Sequence, residues 1–168
     1  SDYDKDQYSI AVIKGLVMDA TRKANSGHPG GPLSCADFAY VLYKHYLKFD
    51  PENPDWFNRD RFILSGGHMS MVQYALLLYT GWLTLDDIKK FRQLHSNTPG
   101  HPEVEIPGVE CTTGPLGQGF AMATGMAHGE AYLRNMFTNS SIKASKLVDH
   151  YTYVLASDGD LQEPVALG

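Results

Sequence analysis

A chain of 168 residues, 43% hydrophobic and 20% charged, is one domain in size and can bury a core of ordinary extent. A net charge of −5 leaves no basic footprint for nucleic acid or an anionic membrane surface, and no run approaches the roughly 18 apolar residues of a membrane span. Cys35 and Cys111 fit no metal-ligand spacing and read as buried thiols in a reducing compartment. The start, SDYDKDQYS, lacks a signal peptide's apolar segment, so the expected location is cytoplasmic.

From about Asp6 to Asn25, Ile10, Ile13, Val17, Ala20 and Ala24 recur at helical spacing, which predicts an amphipathic helix that Gly27 can end. The following NSGHPGGP, residues 25–32, reads as a tight irregular loop. Ser34 is the expected N-cap of a second helix reaching about Lys48, with Phe38, Val41, Leu42 and Tyr46 inward. After a polar, proline-bearing connection at 50–55, the run RFILS (61–65) reads as a short strand leading straight into Gly66-Gly67-His68. A third helix is expected from about Met69 to Thr80, with Val72, Leu76 and Tyr79 at core spacing. Thr84, with Asp87 three residues on, is a capping-box candidate for a short fourth helix.

Residues 95–117 carry little periodicity but many Gly, Pro, His and Thr residues, which favours an ordered binding loop over a charged linker. A helix from about Gly119 to Phe137 follows, with the small-residue stripe Ala121, Gly125 and Gly129 open to close packing by another element or a partner subunit. Residues 138–149 read as an exposed connection. The chain then builds to YTYVLASDGDLQE (151–163), a buried strand that ends at a Ser-Asp-Gly-Asp turn. Asp-Gly after a strand is a common turn, but the same position is where open α/β sheets bind ligands. Pro164 sits where a helix would begin, and the chain stops one turn later, so the sequence reads as a fragment of a longer polypeptide. Helices alternating with sparse strands predict an α/β fold with a mainly parallel sheet flanked by helices, of which only an incomplete part is present.

Four segments share one signature, Gly or Pro beside His, or Gly with Asp, each directly after a regular element. They are SGHPGGP (26–32), SGGH (65–68), PGHPE (99–103) with TTGPLGQG (112–119), and SDGD (157–160). Singly, each histidine is an ordinary hydrogen-bonded side chain. Together they offer imidazoles near neutral pKa, backbone that lets an anion approach, and a carboxylate suited to a hard cation.

KANSGHPGGPLS, LSGGH, PGHPE, TTGPLGQG and DGDLQE, in this order, resemble the N-terminal diphosphate-binding domain of transketolase, and the resemblance runs from about Val12 to the last residue. It implies that residues 1–168 are the N-terminal part of the diphosphate-binding (PP) domain of a thiamine diphosphate-binding fold, without the pyrimidine-binding and C-terminal domains. It further implies ketol transfer from a ketose phosphate to an aldose phosphate in the pentose phosphate pathway. The cofactor would be thiamine diphosphate with Mg²⁺ or Ca²⁺, bound between the two subunits of a homodimer. Carried over by residue, Asp158 is the metal ligand and Gly159 presents its backbone to the diphosphate. His68 contacts the diphosphate and faces the reacting carbon, while His28 and His101 line the substrate channel and help move protons. Gly114 and Leu116 hold the cofactor, and Glu163 matches a carboxylate at the subunit interface.

Ser157 stands where the family motif usually has Gly, and the motif's later Asn lies beyond the chain, as do the glutamate that activates the aminopyrimidine and the basic residues that grip the substrate phosphate. The chain alone is therefore expected to be inactive. Dihydroxyacetone synthase and 1-deoxyxylulose-5-phosphate synthase are the related alternatives, and a non-catalytic module with the same fold is the third. GHPGGP and PGHPE favour transketolase over the deoxyxylulose enzyme, and His28, His68, His101 and Asp158 together argue against a binding-only module.

Overall fold

The computed structural model describes residues 1–138 and 147–168. Two short parallel strands, β1 (Arg61–Leu64) and β2 (Thr152–Leu155), pair in the register Arg61↔Thr152 to Leu64↔Leu155. Around them run α1 (Asp2–Ala24), α2 (Gly30–Val41), α3 (Ser70–Thr80), α4 (Leu85–Lys89), α5 (Gln118–Met136) and α6 (Pro164–Leu167). The expected α/β class holds, and the sheet is parallel. Among the described residues no helix is long and apolar enough to cross a membrane.

The stripe read on the first helix is the stripe that is buried: Ile10, Ile13, Val17 and Ala20. It packs on α2 and α3 in two adjoining clusters. One joins α1, α2 and α3 to Phe62 and Leu64 of β1; the other joins α1 and α3 to Ile88, Phe91, Ile106 and Val109. Helix α3 is the centre of the molecule, buried from Ser70 through Leu77 on every face. Its apolar surround is why the helix behind the Gly66-Gly67-His68 turn cannot shift.

Several expectations need correction. Helix α1 starts at Asp2 and is closed by Asn25, which adopts the left-handed conformation (φ 48°), rather than by Gly27. Helix α2 starts at Gly30, four residues before the expected cap at Ser34. Pro32 lies in its first turn, where a missing amide N–H removes no helical bond. The helix continues into a π-helical turn, Leu42–Tyr46, which rotates the side-chain pattern. Its buried residues are Ala36, Ala39, Tyr40 and Tyr43, whereas Phe38 (48%), Val41 (40%) and Tyr46 (64%) face solvent. Tyr79 is likewise exposed, at the rim of α3. The last strand is only half covered: Leu155 is buried, but Tyr151 is exposed and Tyr153 partly so.

The capping box at α4 is present as read, with Thr84 Oγ1 accepting the Asp87 amide at 3.2 Å and Asp87 accepting the Thr84 amide at 2.8 Å. Residues 95–117 hold no helix or strand. On α5, Gly119 and Ala123 turn inward, while Gly125 and Gly129 have nothing within 4 Å of where a Cβ would stand. The connection expected at 138–149 falls mostly on residues outside those described. Both cysteines are free and partly buried.

Buried Asp60 ties the two strands where they begin. It accepts the backbone amides of Lys48 at 2.9 Å and Tyr151 at 2.7 Å. A bidentate Arg59–Glu110 pair, at 2.8 and 2.7 Å and largely shielded from solvent, anchors the long loop to the same end. The opposite, carboxyl end of the strands is left to the glycine-rich loops.

Candidate functional site

Both strands are short, so each stops at a loop that carries one of the four segments. β1 runs out at Ser65-Gly66-Gly67-His68, and β2 at Ser157-Asp158-Gly159-Asp160. Parallel pairing places these two loops side by side at the carboxyl edge, where an α/β sheet binds ligands.

The joint between them is Asp160, a side chain with 0% exposure. Its Oδ1 accepts the Ser65 hydroxyl at 2.7 Å and the Gly117 amide at 2.8 Å; its Oδ2 accepts the Ser157 amide and hydroxyl, both at 2.8 Å. Ser65 Oγ in turn accepts the Phe120 amide at 3.0 Å. Burial alone would raise the Asp160 carboxyl, but the Gly117 and Ser157 amides and the two hydroxyls outweigh it and hold the group below its ordinary value of 3.8. Asp160 is therefore a buried anion with four donors, and it locks the β1 loop, the start of α5 and the β2 loop into one body. The sequence reading missed it. The signal was a Ser followed three residues later by Asp, the spacing of a local cap.

Close backbone approach requires the glycines here. A Cβ on Gly67 would stand 2.8 Å from the carbonyl carbon and oxygen of Thr113, and one on Gly119 would stand 2.6 Å from Ser65 Cα. Thr113 completes this seam by donating its hydroxyl to the Leu64 carbonyl at 2.7 Å.

The three histidines come from three loops. His28 and His68 meet edge-to-face with ring centroids 5.2 Å apart. The ring of His101 lies against Gly114, where an added Cβ would be 3.5 Å from its Cδ2. An added Cβ on Gly66 would stand 3.3 Å from the His68 ring and 3.4 Å from Asp160 Oδ2, so the imidazole group and the buried carboxylate share one neighbourhood. His28 is held below its ordinary pKa of 6.5 by burial, then by the charges of His68 and Arg92. His101 is also lowered, by burial, then by Arg92, His28 and His68. Both are neutral at pH 7 and able to accept a proton.

Arg92 is a second residue the sequence reading missed. It sits just beyond α4 in the left-handed region (φ 60°). Its Nη1 donates to Ser26 Oγ at 2.8 Å, and its backbone amide donates to the Thr98 carbonyl at 2.9 Å. The guanidinium borders a cavity of about 510 Å³ that is also lined by Ser26, Gln93, Gly100 and His101.

Asp158 and Gly159 occupy the tip of the β2 loop. The Asp158 carboxylate is exposed and accepts no hydrogen bond among the described residues. A Cβ on Gly159 would approach Leu116 Cδ1 at 3.2 Å, so Leu116 and Gly159 are neighbours with bare backbone between them. Gly114 likewise presents open backbone beside the His101 ring. Glu163 is exposed, with its Cβ close to Gly117. His28, His68, His101, Gly114, Leu116, Asp158, Gly159 and Glu163 thus all belong to the loops gathered at the carboxyl edge. Among the described residues no three His, Cys, Asp or Glu side chains form a metal cage. A single free carboxylate beside a glycine nonetheless fits a Mg²⁺-like cation that takes most of its ligands from phosphate oxygens and water. The bare backbone at Gly114 and Gly159 fits a diphosphate that must come close.

The family model described as transketolase, thiamine diphosphate binding domain, matches residues 5–168. A transketolase of Staphylococcus epidermidis is 54% identical over 164 residues, covering 97% of this chain and 24% of the relative. Among solved structures, transketolase from Campylobacter jejuni superposes with a TM-score of 0.89 at 49% identity, covering 96% of this chain and 24% of that one. Transketolase from Leishmania mexicana gives a TM-score of 0.90 at 46% identity, with the same coverage. The chain spans about a quarter of the length of the relatives it matches. With the five motifs in order, the loops gathered at one sheet edge and a match over nearly every residue, this chain belongs to the transketolase family, within its thiamine diphosphate binding domain.

Proposed function

We propose that the polypeptide carrying these residues is a transketolase that moves a two-carbon ketol unit from a ketose phosphate to an aldose phosphate, and that residues 1–168 are the N-terminal part of its diphosphate-binding domain. The observation that carries this is the gathering of the His28, His68 and His101 loops and the Asp158-Gly159 loop on the carboxyl side of the two parallel strands. Thiamine diphosphate, when bound, supplies the electron sink for carbanion chemistry, so the protein's work is to position, to move protons and to offset charge.

His28 and His101 line the substrate channel in this reading. As neutral bases at pH 7 they take protons from donor hydroxyls and return them. His68, in edge contact with His28, would contact the diphosphate and face the reacting carbon when the cofactor is bound. Gly114 would offer its backbone to the cofactor, and Leu116, packed toward Gly159, would give an apolar wall beside it. Asp158 would ligate Mg²⁺ or Ca²⁺, and Gly159 would present its amide to the diphosphate. Glu163, at the exposed margin, would face a second subunit of a homodimer. The site would be completed by the remaining domains and that subunit.

The test is turnover of xylulose 5-phosphate and ribose 5-phosphate by the full-length polypeptide with added thiamine diphosphate and Mg²⁺. Sedoheptulose 7-phosphate should form, and the 168-residue chain alone should form none. Product only when formaldehyde replaces the aldose phosphate would assign the dihydroxyacetone synthase reaction instead.

A further inference from the structure

We propose that Arg92 is a positioning residue that clamps the two histidine loops, 26–30 and 99–103, onto each other; the proposal rests on the ketol-transfer reading of the site. One side chain reaches both loops. Nη1 of Arg92 donates to Ser26 Oγ, two residues before His28, and the guanidinium packs against Gly100, one residue before His101. A Cβ at Gly100 would stand 3.0 Å from Nε and 3.2 Å from Cζ, so a larger residue there would push the guanidinium by a few tenths of an ångström. The Arg92 backbone amide holds the same loop through Thr98.

The two loops differ in how much else supports them. α3 holds the second loop through Ser70 Oγ to the Gly100 carbonyl at 2.8 Å and Tyr74 Oη to the Pro99 carbonyl at 2.7 Å. Among the described residues, the first loop receives a single side-chain hydrogen bond from outside, and Arg92 gives it. Arg92 keeps a left-handed backbone that a non-glycine residue adopts only at some cost, and its Nε–H is buried without a partner among the described residues. Both are unfavourable locally, and strain of this kind persists where surrounding structure imposes it.

The clamp also carries a positive charge. The charged groups facing His28 and His101 are Arg92 from beyond α4, His68 from the β1 loop, and each other. Glu103, on the loop of His101, is exposed. Arg92 disfavours the imidazolium in both rings, so its removal lets them protonate at higher pH. Fewer are then free bases in mildly acid solution.

The experiment compares the full-length enzyme with Arg92→Met, which keeps bulk without charge, and Arg92→Lys, which keeps charge without the fork. Carbethoxylation of His28 and His101, followed by peptide mass spectrometry against pH, reads both imidazoles whatever reaction the enzyme catalyses. In R92M the midpoints of modification should move to higher pH, and the acid limb of kcat/KM should move with them. At about pH 6.5 kcat/KM should fall roughly tenfold, as for loss of a positioned base, with thiamine diphosphate affinity retained. R92K should restore the midpoints while recovering only part of kcat/KM. Unmoved midpoints in R92M, or equal damage in R92M and R92K with no change of pH profile, would overturn the proposal. A wild-type enzyme that fails to transfer ketol units would sink the functional reading, and the modification midpoints would still decide the role of Arg92.

Discussion

The hydroxyl of Ser65 donates to Asp160 Oδ1 at 2.7 Å across 95 residues of sequence, and this bond fixes the end of β1 to the loop after β2. Asp160 takes three more donors, so Asp160→Asn would turn an amide N–H₂ toward the backbone amide of Gly117 or of Ser157, which can only donate. The expected loss is about 3 kcal/mol of stability, from buried donors left unpaired. Urea denaturation measures it, and a midpoint within error of wild type would show that the carboxylate is dispensable.

Asp158, two residues earlier, should behave in the opposite way. Its side chain is exposed, so Asp158→Ala should change the stability measured in urea by no more than about 0.5 kcal/mol. Metal affinity in the presence of thiamine diphosphate should fall at least tenfold in calorimetry. Unchanged metal affinity would remove Asp158 from the site.

His101→Ala in the full-length enzyme should lower kcat for ketol transfer roughly a hundredfold or more, the scale of a lost proton-transfer group, while cofactor affinity stays within about twofold. A large fall in cofactor affinity would place this loop on the cofactor rather than on the substrate.

The glycines divide into two classes with opposite predicted signs. Gly67→Ala and Gly119→Ala drive a methyl group into backbone atoms at 2.8 and 2.6 Å, which cannot yield as a side-chain tip does, so each should destabilise by about 2 kcal/mol or more. Gly125 lies mid-helix with open space around it, so Gly125→Ala in the 168-residue chain should stabilise by about 0.5–1 kcal/mol. If the same change weakens the full-length protein, another element covers that face of α5 there.

Acid should erode stability in two stages. Folded His28 and His101 titrate below 6.5, so the unfolded chain takes up protons first as pH falls. The stability they contribute is complete above that value and is lost as pH descends through the folded pKa values. Asp160 repeats the pattern lower down, contributing above 3.8 and failing as pH falls through its own depressed value. Urea midpoints at about pH 7.5 should exceed those at about pH 5.5, and a flat profile would show that the imidazoles meet the same environment folded and unfolded.

The sequence was most legible where local chemistry decides the outcome. Thr84 and Asp87 form their capping box from residues three apart, and the face of α1 follows from its own spacing. The histidine loops were visible because glycine and proline cluster beside each histidine, although Gly30, Gly31 and Pro32, read as loop, open α2. What stayed hidden was set by distant contacts. A π-helical turn ends α2, and the neighbours of that element bury Tyr40 and Tyr43 in place of Phe38 and Val41. Asp160 looked like half of a turn because its partners Ser65 and Gly117 lie 95 and 43 residues away. Arg92 gave no signal in the sequence, since its hydrogen-bond partner Ser26 lies 66 residues away.

The parallel pairing of β1 with β2 also sets an order of events during folding. Arg61 finds Thr152 only after most of the chain has been made, and closing so long a loop is entropically slow. Helices α1, α2 and α3 make mutual contacts that are closer in sequence, so they can consolidate while synthesis continues. The β1 loop must then wait, with the Ser65 hydroxyl lacking its carboxylate acceptor, until Asp160 leaves the ribosome. A pause or a break in synthesis before that residue would release a helical body with hydrophobic packing but no assembled edge, and a chaperone that recognises bare strand edges would meet it there.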